Sequence, residues 1–181
     1  MNIRVIAGKF GGRTIAAPNG HTTHPMSERI RNSLFNSIGE EVKDAVVLDA
    51  FAGSGSVGIE AISRGAASAT FLDKNPLAGR ILEENIKTLG IETQATTFHG
   101  GVGAWTTRTN VLYDIIIADP PYNDMQLSTV VKLFKLLKPN GLMVLSYPGR
   151  GEAPTGTNGV VVVDNRSYGT AALAFYRKED A

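Results

Sequence analysis

The residues best suited to chemistry form the tetrapeptide Asp119-Pro120-Pro121-Tyr122, which follows the apolar run Tyr113–Ala118. Continuous apolar runs of this length are typical of buried parallel strands, so the tetrapeptide is predicted at the carboxyl end of a strand. It presents a carboxylate, backbone carbonyls that the proline rings hold still, and an aromatic ring. Such a set suits a planar group that carries an exocyclic amine. The Asp119 carboxylate and the Pro120 carbonyl can accept its two N–H bonds, while Tyr122 stacks on its face.

An exocyclic amine of this kind is a weak nucleophile, because its lone pair is delocalised into the ring. Accepting both N–H bonds draws the nitrogen toward tetrahedral geometry and aims the lone pair at an incoming electrophile. The predicted catalytic residues are therefore Asp119, Pro120 and Tyr122, and the predicted reaction is in-line methyl transfer to the amino group of a nucleobase. Most of the acceleration is expected from positioning, which can supply about 7–11 kcal/mol.

A glycine-rich turn lies earlier in the chain, where a predicted strand ending near Asp49 is followed by Gly53, Gly55 and Gly58 and then by a helix. The spacing satisfies G-x-G-x-x-G, which by itself would predict a nicotinamide or flavin dinucleotide. Asp49 argues against that ligand, because its carboxylate would lie close to a pyrophosphate and repel it. A cofactor with a positive amine and a sulfonium fits better, and S-adenosylmethionine (SAM) is such a cofactor.

A third carboxylate, Asp73, ends the next predicted strand, 20 residues after Gly53. A carboxylate at this point can accept both hydroxyls of a ribose, which NAD and SAM share. Asp49, Asp73 and Asp119 each stand at the carboxyl end of a predicted strand. We therefore expect them to converge on one crevice of a parallel sheet.

The elements that position these residues alternate between strands and helices from residue 45 onward. Strands are predicted at 46–50, 69–73, 93–98, 113–118, 142–147, 160–164 and 171–176. Helices are predicted at about 56–64, 76–89, 102–107 and 127–137. With right-handed crossovers this is an α/β, Rossmann-like fold: a seven-stranded, mostly parallel sheet with helices on both faces. One of the last two strands is expected to be antiparallel, because no strong helix separates them.

The first 40 residues are predicted to form a unit of their own, in front of a methyltransferase domain at 41–181. It comprises a small hairpin (3–7 with 13–17), a loop that includes His21, and a helix capped by Ser27. Residues 1–31 carry a net charge of +4, whereas the whole chain carries +1. A localised basic segment predicts a patch for phosphates, although an ordinary solvated face would have the same composition.

Composition excludes several other classes of protein. The chain has no cysteine, so disulfides, thiolate metal sites and cysteine nucleophiles are excluded. Its three histidines lack metal-ligand spacing, and no metal is predicted. No apolar run approaches the length of a membrane span, and the first residues do not form a signal peptide. We expect a cytoplasmic monomer with no membrane partner.

Taken together, these motifs resemble the RsmD-type bacterial 16S rRNA guanine-N2-methyltransferases, a family of Rossmann-like SAM-dependent enzymes. Asp49–Gly58 is similar to motif I of such methyltransferases, and Asp119–Tyr122 to motif IV of amino-methyltransferases. The resemblance spans almost the whole chain and also includes Arg4–Gly8 with Gly12-Arg13, His24–Arg31, Leu34–Asn36, Gly58–Ala61, Ser63–Ala66, Tyr168-Gly169 and Tyr176-Arg177.

The resemblance implies methyl transfer from SAM to the N2 amine of a guanine in 16S rRNA, either free or in the assembling small ribosomal subunit. The cofactor site it implies consists of Asp49, Phe51, Gly53, Ser54, Gly55, Asp73, Lys74 and Asp119. The RNA-binding residues it implies are Arg4, Lys9 and Arg13 on the hairpin and Tyr122 at the base, with Arg29 and Arg31 as ligands of SAM or a phosphate.

The chain departs from the family pattern at a few positions. His24 stands where an arginine is usual, and Asn32 stands where an acidic residue is usual. The segment Phe98–Gly101 lacks the common acidic residue near the adenine, which leaves adenine recognition to backbone N–H groups or to a neighbour. His99 is interpreted as a polar loop residue.

Other functions remain open from the residues alone. The same amine chemistry would serve adenine N6 in DNA or RNA, or a protein glutamine. The small size, without a separate target-recognition domain, argues against a sequence-specific DNA enzyme. More remote alternatives are a nicotinamide oxidoreductase that uses the glycine-rich turn and a non-catalytic RNA-binding assembly factor.

Overall fold

The computed structural model describes residues 2–19 and 25–179. Its strands, in chain order, are β1 Asn2–Arg4, β2 Thr14–Ala16, β3 Val46–Asp49, β4 Ser68–Leu72, β5 Ala95–Phe98, β6 Tyr113–Ala118, β7 Leu137–Pro148, β8 Val160–Ser167 and β9 Ala171–Lys178. Its helices are α1 Glu28–Ile38, α2 Ser56–Ser63, α3 Pro76–Leu89, α4 Val102–Arg108 and α5 Leu127–Val130, with 3-10 helices at Gly39–Val42 and Val131–Leu136. His21 and His24 lie outside the described residues.

Strands β3 to β9 form one sheet in the order β5-β4-β3-β6-β7-β9-β8, and β1 pairs with β2 as an antiparallel hairpin. Neighbours from β5 to β7 are parallel, whereas β9 is antiparallel to both β7 and β8. The predicted seven-stranded Rossmann-like fold is confirmed, including an antiparallel strand among the last two. The chain order reverses between β3 and β6, so the ends of these strands border the crevice where ligands bind in such sheets.

Helices cover both faces of the sheet, as predicted. Side chains alternate between the two faces along each strand, so a buried strand presents apolar side chains to the helices on either side. In β6, Ile115 and Ile117 join a cluster that also contains residues of α1, α2, α3 and the hairpin. Ile116 points the other way, into a cluster with residues of α4, α5 and the following 3-10 helix. No helix within the described ranges is both long enough and apolar enough to cross a membrane.

The region from 127 to 148 differs from the prediction in detail. A single helix is predicted at 127–137, but the chain forms α5 and then the tighter 3-10 helix Val131–Leu136. Strand β7 begins at Leu137, five residues before its predicted start, and its register against β6 shifts between Tyr113 and Ile115. Pro139 lacks an N–H and Asn140 has a φ of 66°. The ladder is therefore interrupted there and resumes at Leu142.

The N-terminal segment is anchored to the body by a buried carboxylate on α2. Glu60 is fully buried, and its two oxygens accept hydrogen bonds from the backbone N–H groups of Ile6 (2.9 Å) and Ala7 (3.1 Å). Its oxygens also lie 2.8 Å from Arg64 Nε and 3.4 Å from Arg31 Nε. A buried charge is tolerated only when it is paired in this way, so Glu60 fixes where the hairpin begins.

Glu60→Ala is expected to lower the free energy of unfolding by about 3–5 kcal/mol, because it leaves buried Arg31 without its ion-pair partner and leaves Arg64 Nε and two backbone N–H groups without their acceptor. Glu40→Ala is the matched control, since Glu40 pairs with Lys43 through an exposed contact between side chains on one turn. Chemical denaturation of both variants measures the difference. Equal stability of the two variants would refute the anchoring role.

Candidate active site

The glycine-rich turn joins β3 to α2 with two residues in the left-handed region, Gly53 at φ 57° and Gly55 at φ 93°. The left-handed backbone favours glycine at position 55, and a Cβ there would also displace the end of the Leu82 side chain, whose Cδ1 would lie 2.4 Å away. A Cβ on Gly53 would meet no atom within 4 Å. The backbone at Gly53 therefore borders open space, where a ligand can approach it closely.

Asp73 holds the turn from the neighbouring strand. One carboxylate oxygen accepts the N–H of Gly53 at 2.7 Å, and the other accepts the N–H of Asn75 at 2.8 Å. Each oxygen keeps a further lone pair, so the carboxylate can also accept ribose hydroxyls. A cavity of about 420 Å³ opens beside it, lined by Asp73, Lys74, Asn75, Pro76, Arg80, Glu83 and His99.

Asp49 lies at the bottom of the crevice and is only 1 % exposed. Its pKa is raised to about 7, chiefly by burial, and the nearby charges of Asp119 and Asp73 act in the same direction. The N–H of Gly58, which it accepts at 2.9 Å, opposes this shift. A positively charged ligand would stabilise the ionised form of this carboxyl, because it compensates for the hydration that burial removes.

Asp119 follows β6 and is partly buried at the same edge of the sheet. Burial raises the pKa of its carboxyl to about 6, while a hydrogen bond with Ser146 acts in the opposite direction. Pro120 is buried, whereas Tyr122 is 40 % exposed and its hydroxyl lies 2.6 Å from Ser146 Oγ. Burial also raises the pKa of Tyr122. The structure therefore brings the carboxylate and the ring of the tetrapeptide to one serine.

Ser146 is a residue of this site that the sequence interpretation missed. It is 1 % exposed in β7 and can accept from the Tyr122 hydroxyl while it donates to Asp119, since a hydroxyl has one donor and two acceptor positions. A polar residue inside the apolar run Leu142–Tyr147, in the strand after Asp119, is the sequence signal that could have identified it.

The remaining cofactor candidates line the same turn. Phe51 is partly buried against the cluster that covers the α4 and α5 face of the sheet. Ser54 is buried, and its carbonyl accepts from Asn85 Nδ2 at 3.0 Å. Lys74 is exposed at the rim of the cavity beside Asp73. His99 lines that cavity too, with Nε2 2.8 Å from Glu83 Oε1.

The predicted RNA-binding cations fall into an exposed group, which consists of Lys9, Arg13, Arg29 and Arg4, and one buried residue, Arg31. Lys9 and Arg13 are exposed and flank the ring of Phe10, at 5.5 Å and 5.7 Å from its centroid. Arg29 is exposed on α1, and exposed Arg4 forms an ion pair with Glu28.

Arg31 is different from the other cations, because it is 1 % exposed. Its guanidinium lies beside Glu60 and donates to the backbone carbonyl of Arg4. Arg31 therefore belongs to the interior of the protein in this structure. The predicted role of Arg31 as a ligand of SAM or of a phosphate does not fit this placement, because its guanidinium is buried and forms an ion pair with Glu60.

The residues at this edge of the sheet fit SAM. Two carboxyls with raised pKa values face the crevice between β3 and β6, which suits an ammonium and a sulfonium. The open backbone at Gly53 leaves room for the ligand, and Asp73 offers acceptors for a ribose. A second cleft of about 290 Å³, which includes Asp114 and Arg177, opens at the opposite end of the strands and is remote from these groups.

Comparisons with known proteins point to the same class. A family model described as "Conserved hypothetical protein 95" matches residues 3–177. The chain is 31 % identical to the "Putative rRNA methyltransferase YlbH" of Bacillus subtilis, over 97 % of this chain and 99 % of that protein. It is 32 % identical to the "Ribosomal RNA small subunit methyltransferase D" of Escherichia coli, over 74 % and 67 % of the two chains.

Solved structures show the same fold over the full length. The "Putative methyltransferase yhhF" of Escherichia coli superposes with a TM-score of 0.89 at 28 % identity and covers 100 % of both chains. A Thermus thermophilus protein superposes with a TM-score of 0.82, also at 28 % identity, over 99 % of each chain. The chain therefore belongs to the RsmD-type family of Rossmann-like methyltransferases, the family described as Conserved hypothetical protein 95.

Proposed function

We propose that this chain transfers a methyl group from SAM to the exocyclic N2 amine of a guanine in 16S rRNA. The observation that carries the proposal is the pair of carboxyls with raised pKa values, buried Asp49 and partly buried Asp119, at the ends of neighbouring parallel strands beside an open glycine turn. Relatives above 30 % identity whose names specify rRNA methylation support the substrate class. The choice of guanine N2 rests on the resemblance to the family.

The cofactor would be held by the turn and by the carboxylates around it. Asp49 and Asp119 would provide counter-charges, Asp73 would accept the ribose hydroxyls, and the backbone from Gly53 to Gly55 would border the ligand, with Phe51 and Lys74 at its edges. When bound, SAM supplies a methyl group on a positively charged sulfonium. The protein's part is to hold this group in place and to exclude water around it.

Asp119 and Pro120 would hold the amine that receives the methyl group. The carboxylate and the Pro120 carbonyl each accept one N–H, which fixes the direction of the lone pair, and buried Pro120 keeps its carbonyl rigid. An amine that gains a methyl group must lose a proton. The Asp119 carboxylate, with a pKa of about 6, is the acceptor in reach for that proton.

Tyr122 would bind the face of the base. Its ring is 40 % exposed, so it has surface to offer, while the hydroxyl is tied to Ser146 at 2.6 Å. A ring fixed at one end loses little conformational freedom when a base stacks on it. Such a contact is worth about 1–3 kcal/mol.

The RNA would lie across the exposed cations of the N-terminal segment, Lys9, Arg13, Arg29 and Arg4. A basic face suits a substrate whose backbone is negatively charged, whether free 16S rRNA or an assembling small subunit. We propose that the protein acts in the cytoplasm as a monomer, with residues 1–40 serving RNA and cofactor access and 41–181 serving chemistry.

The proposal is tested by incubating the protein with labelled SAM and unmodified 16S rRNA, followed by mass spectrometry of the nucleosides. N2-methylguanosine is expected. DNA, a protein release factor and NADH are run in parallel, because methyl-adenine, methyl-glutamine or tight NADH binding would each establish a rival function. RNA binding without methyl transfer would favour an assembly factor.

Asp119→Ala is expected to lower turnover by about 100-fold or more, because the acceptor that orients the amine and takes its proton is removed. SAM should still bind, with an affinity lowered only by the loss of one of its two counter-charges, since Asp49 and Asp73 remain. Turnover assays and calorimetry measure the two quantities. An Asp119→Ala protein that methylates at the wild-type rate would show that the assigned role is wrong.

Asp49→Asn is expected to stabilise the ligand-free protein at pH 8 by roughly 1–3 kcal/mol and to weaken SAM binding. Because the pKa of Asp49 is raised in the folded state to about 7, the folded protein binds this proton more tightly than the unfolded chain does. The carboxylate therefore destabilises the fold above pH 7, and its effect fades as the pH falls toward 4.

Thermal unfolding from pH 8 to pH 4 measures this effect. Asp164→Asn is the control, because Arg166 lowers the pKa of the exposed Asp164 carboxyl and its removal should not stabilise the protein. SAM affinity of the wild type should also decline as the pH falls below about 7. A stability gain for Asp49→Asn that is the same at pH 4 and pH 8 would contradict the electrostatic explanation.

Lys9→Glu with Arg13→Glu is expected to weaken binding of 16S rRNA and to reduce the slope of log affinity against log salt by roughly 0.7–0.9 per lost phosphate contact. Lys132→Glu with Lys135→Glu is the control of equal charge. Those lysines are exposed on the 3-10 helix, whose buried residues belong to the cluster on the other face of the sheet. An unchanged salt slope for the hairpin variant would show that Lys9 and Arg13 do not contact the RNA.

A further inference from the structure

Asn85 is a buried polar residue on the apolar face of α3, between Leu82 and Ile86, and it is 4 % exposed. Its Oδ1 accepts the backbone N–H of Ala16 at 2.9 Å, and its Nδ2 donates to the Ala16 carbonyl at 2.8 Å. The second hydrogen of Nδ2 reaches the Ser54 carbonyl at 3.0 Å. Both amide hydrogens and the amide oxygen are therefore engaged.

These three bonds join two parts of the molecule that the proposed function uses separately. Ala16 is the last residue of β2, in the basic hairpin that contains Arg4, Lys9 and Arg13. Ser54 lies between the two left-handed glycines of the cofactor turn. The amide is planar and rigid, so a displacement of the turn at Ser54 changes the geometry available to Ala16.

Packing alone does not require an amide at this position. A leucine would fill a similar volume on an apolar helix face without bringing a polar group out of water. What the amide adds is a donor for a buried carbonyl of the turn and a matched donor and acceptor for one residue of the hairpin. Only a side chain with both groups can satisfy all three partners at once.

We propose that Asn85 is a positioning residue that couples cofactor binding at the glycine-rich turn to the placement of the basic hairpin. Resting on the proposed function, this coupling means that cofactor and RNA strengthen each other's binding. By thermodynamic linkage, the cofactor raises the affinity for RNA by the same factor by which RNA raises the affinity for the cofactor. For coupled sites this factor is typically about five-fold or more. A cofactor that orders the turn would fix the Ser54 carbonyl. The carbonyl would then hold the Asn85 amide in place, and the amide would hold β2 through Ala16.

Besides Asn85 and Glu60, the hairpin has an anchor at Ser63 that makes no hydrogen bond to the turn, and this anchor provides a matched control. Ser63 Oγ accepts the N–H of Phe10 at 2.9 Å and donates to the carbonyl of Ala7 at 2.6 Å. Ser63 is as buried as Asn85 and ends α2, about 10 Å from the turn at 1.5 Å per residue. Ser63→Ala therefore loosens the same segment without removing a partner of Ser54.

The experiment measures the affinity of 16S rRNA with and without S-adenosylhomocysteine, and the affinity of S-adenosylhomocysteine with and without the RNA. Wild type, Asn85→Ala, Asn85→Asp and Ser63→Ala are compared. Asn85→Asp keeps the size and the acceptor for Ala16 but removes the donors, so it distinguishes coupling from packing. The coupling factor should be about five-fold or more in wild type and Ser63→Ala, and close to one in both Asn85 variants.

Hydrogen exchange of the β1 and β2 amides gives a readout independent of RNA and of activity. S-adenosylhomocysteine should slow their exchange in wild type and Ser63→Ala, and leave it unchanged in both Asn85 variants. Retained coupling in Asn85→Asp, or its equal loss in Ser63→Ala, would overturn the inference. Wild type that binds both ligands without coupling would overturn it too and leave the proposed function intact, whereas wild type that binds neither ligand would refute the proposed function.

Discussion

The burial of two carboxyls, complete for Asp49 and partial for Asp119, at the ends of neighbouring parallel strands is the constraint on which the rest of the site depends. Parallel pairing of β3 with β6 brings Asp49 and Asp119 to the same edge, where burial raises both pKa values toward neutrality. Like charges in a medium of low dielectric destabilise the fold. The Gly58 N–H and the Ser146 hydroxyl offset part of this cost, and a cationic ligand would offset much more.

The supports around this pair are shared between the cofactor side and the hairpin side. Helix α2 begins at the glycine turn and carries Glu60 and Ser63, which hold the N-terminal segment. Helix α3 begins next to Asp73 and carries Asn85, which bonds to both parts. The two helices that flank the turn are therefore also the platform of the basic hairpin. Under the proposed coupling, Asn85 would make the position of the hairpin sensitive to the order of the turn.

Local sequence patterns predicted most of the strands, helices and caps around the site, whereas contacts between residues far apart in the chain were not predicted. The apolar run before Asp119, the capping residue Ser27 and the first-turn Pro76 depend on neighbours in the chain, and each lies where its pattern indicates. Asn85 and Ala16 are 69 residues apart, and periodicity does not reveal whether a polar residue on a helix face has a partner. The basic count of residues 1–31 likewise could not show that the Arg31 charge is neutralised by Glu60 in the interior.

The same electrostatics bears on how the site would distinguish the two forms of its cofactor. Under the proposed function, the ligand beside Asp49 and Asp119 loses its sulfonium charge once the methyl group has left, because the product is a neutral thioether. The carboxylates then lose one of their counter-charges, and their desolvation again opposes binding. The raised pKa values of both carboxyls show that their ionised forms are costly to bury without a positive charge nearby. The pair that attracts the charged cofactor would thus also weaken the hold on the product, which favours exchange after each transfer.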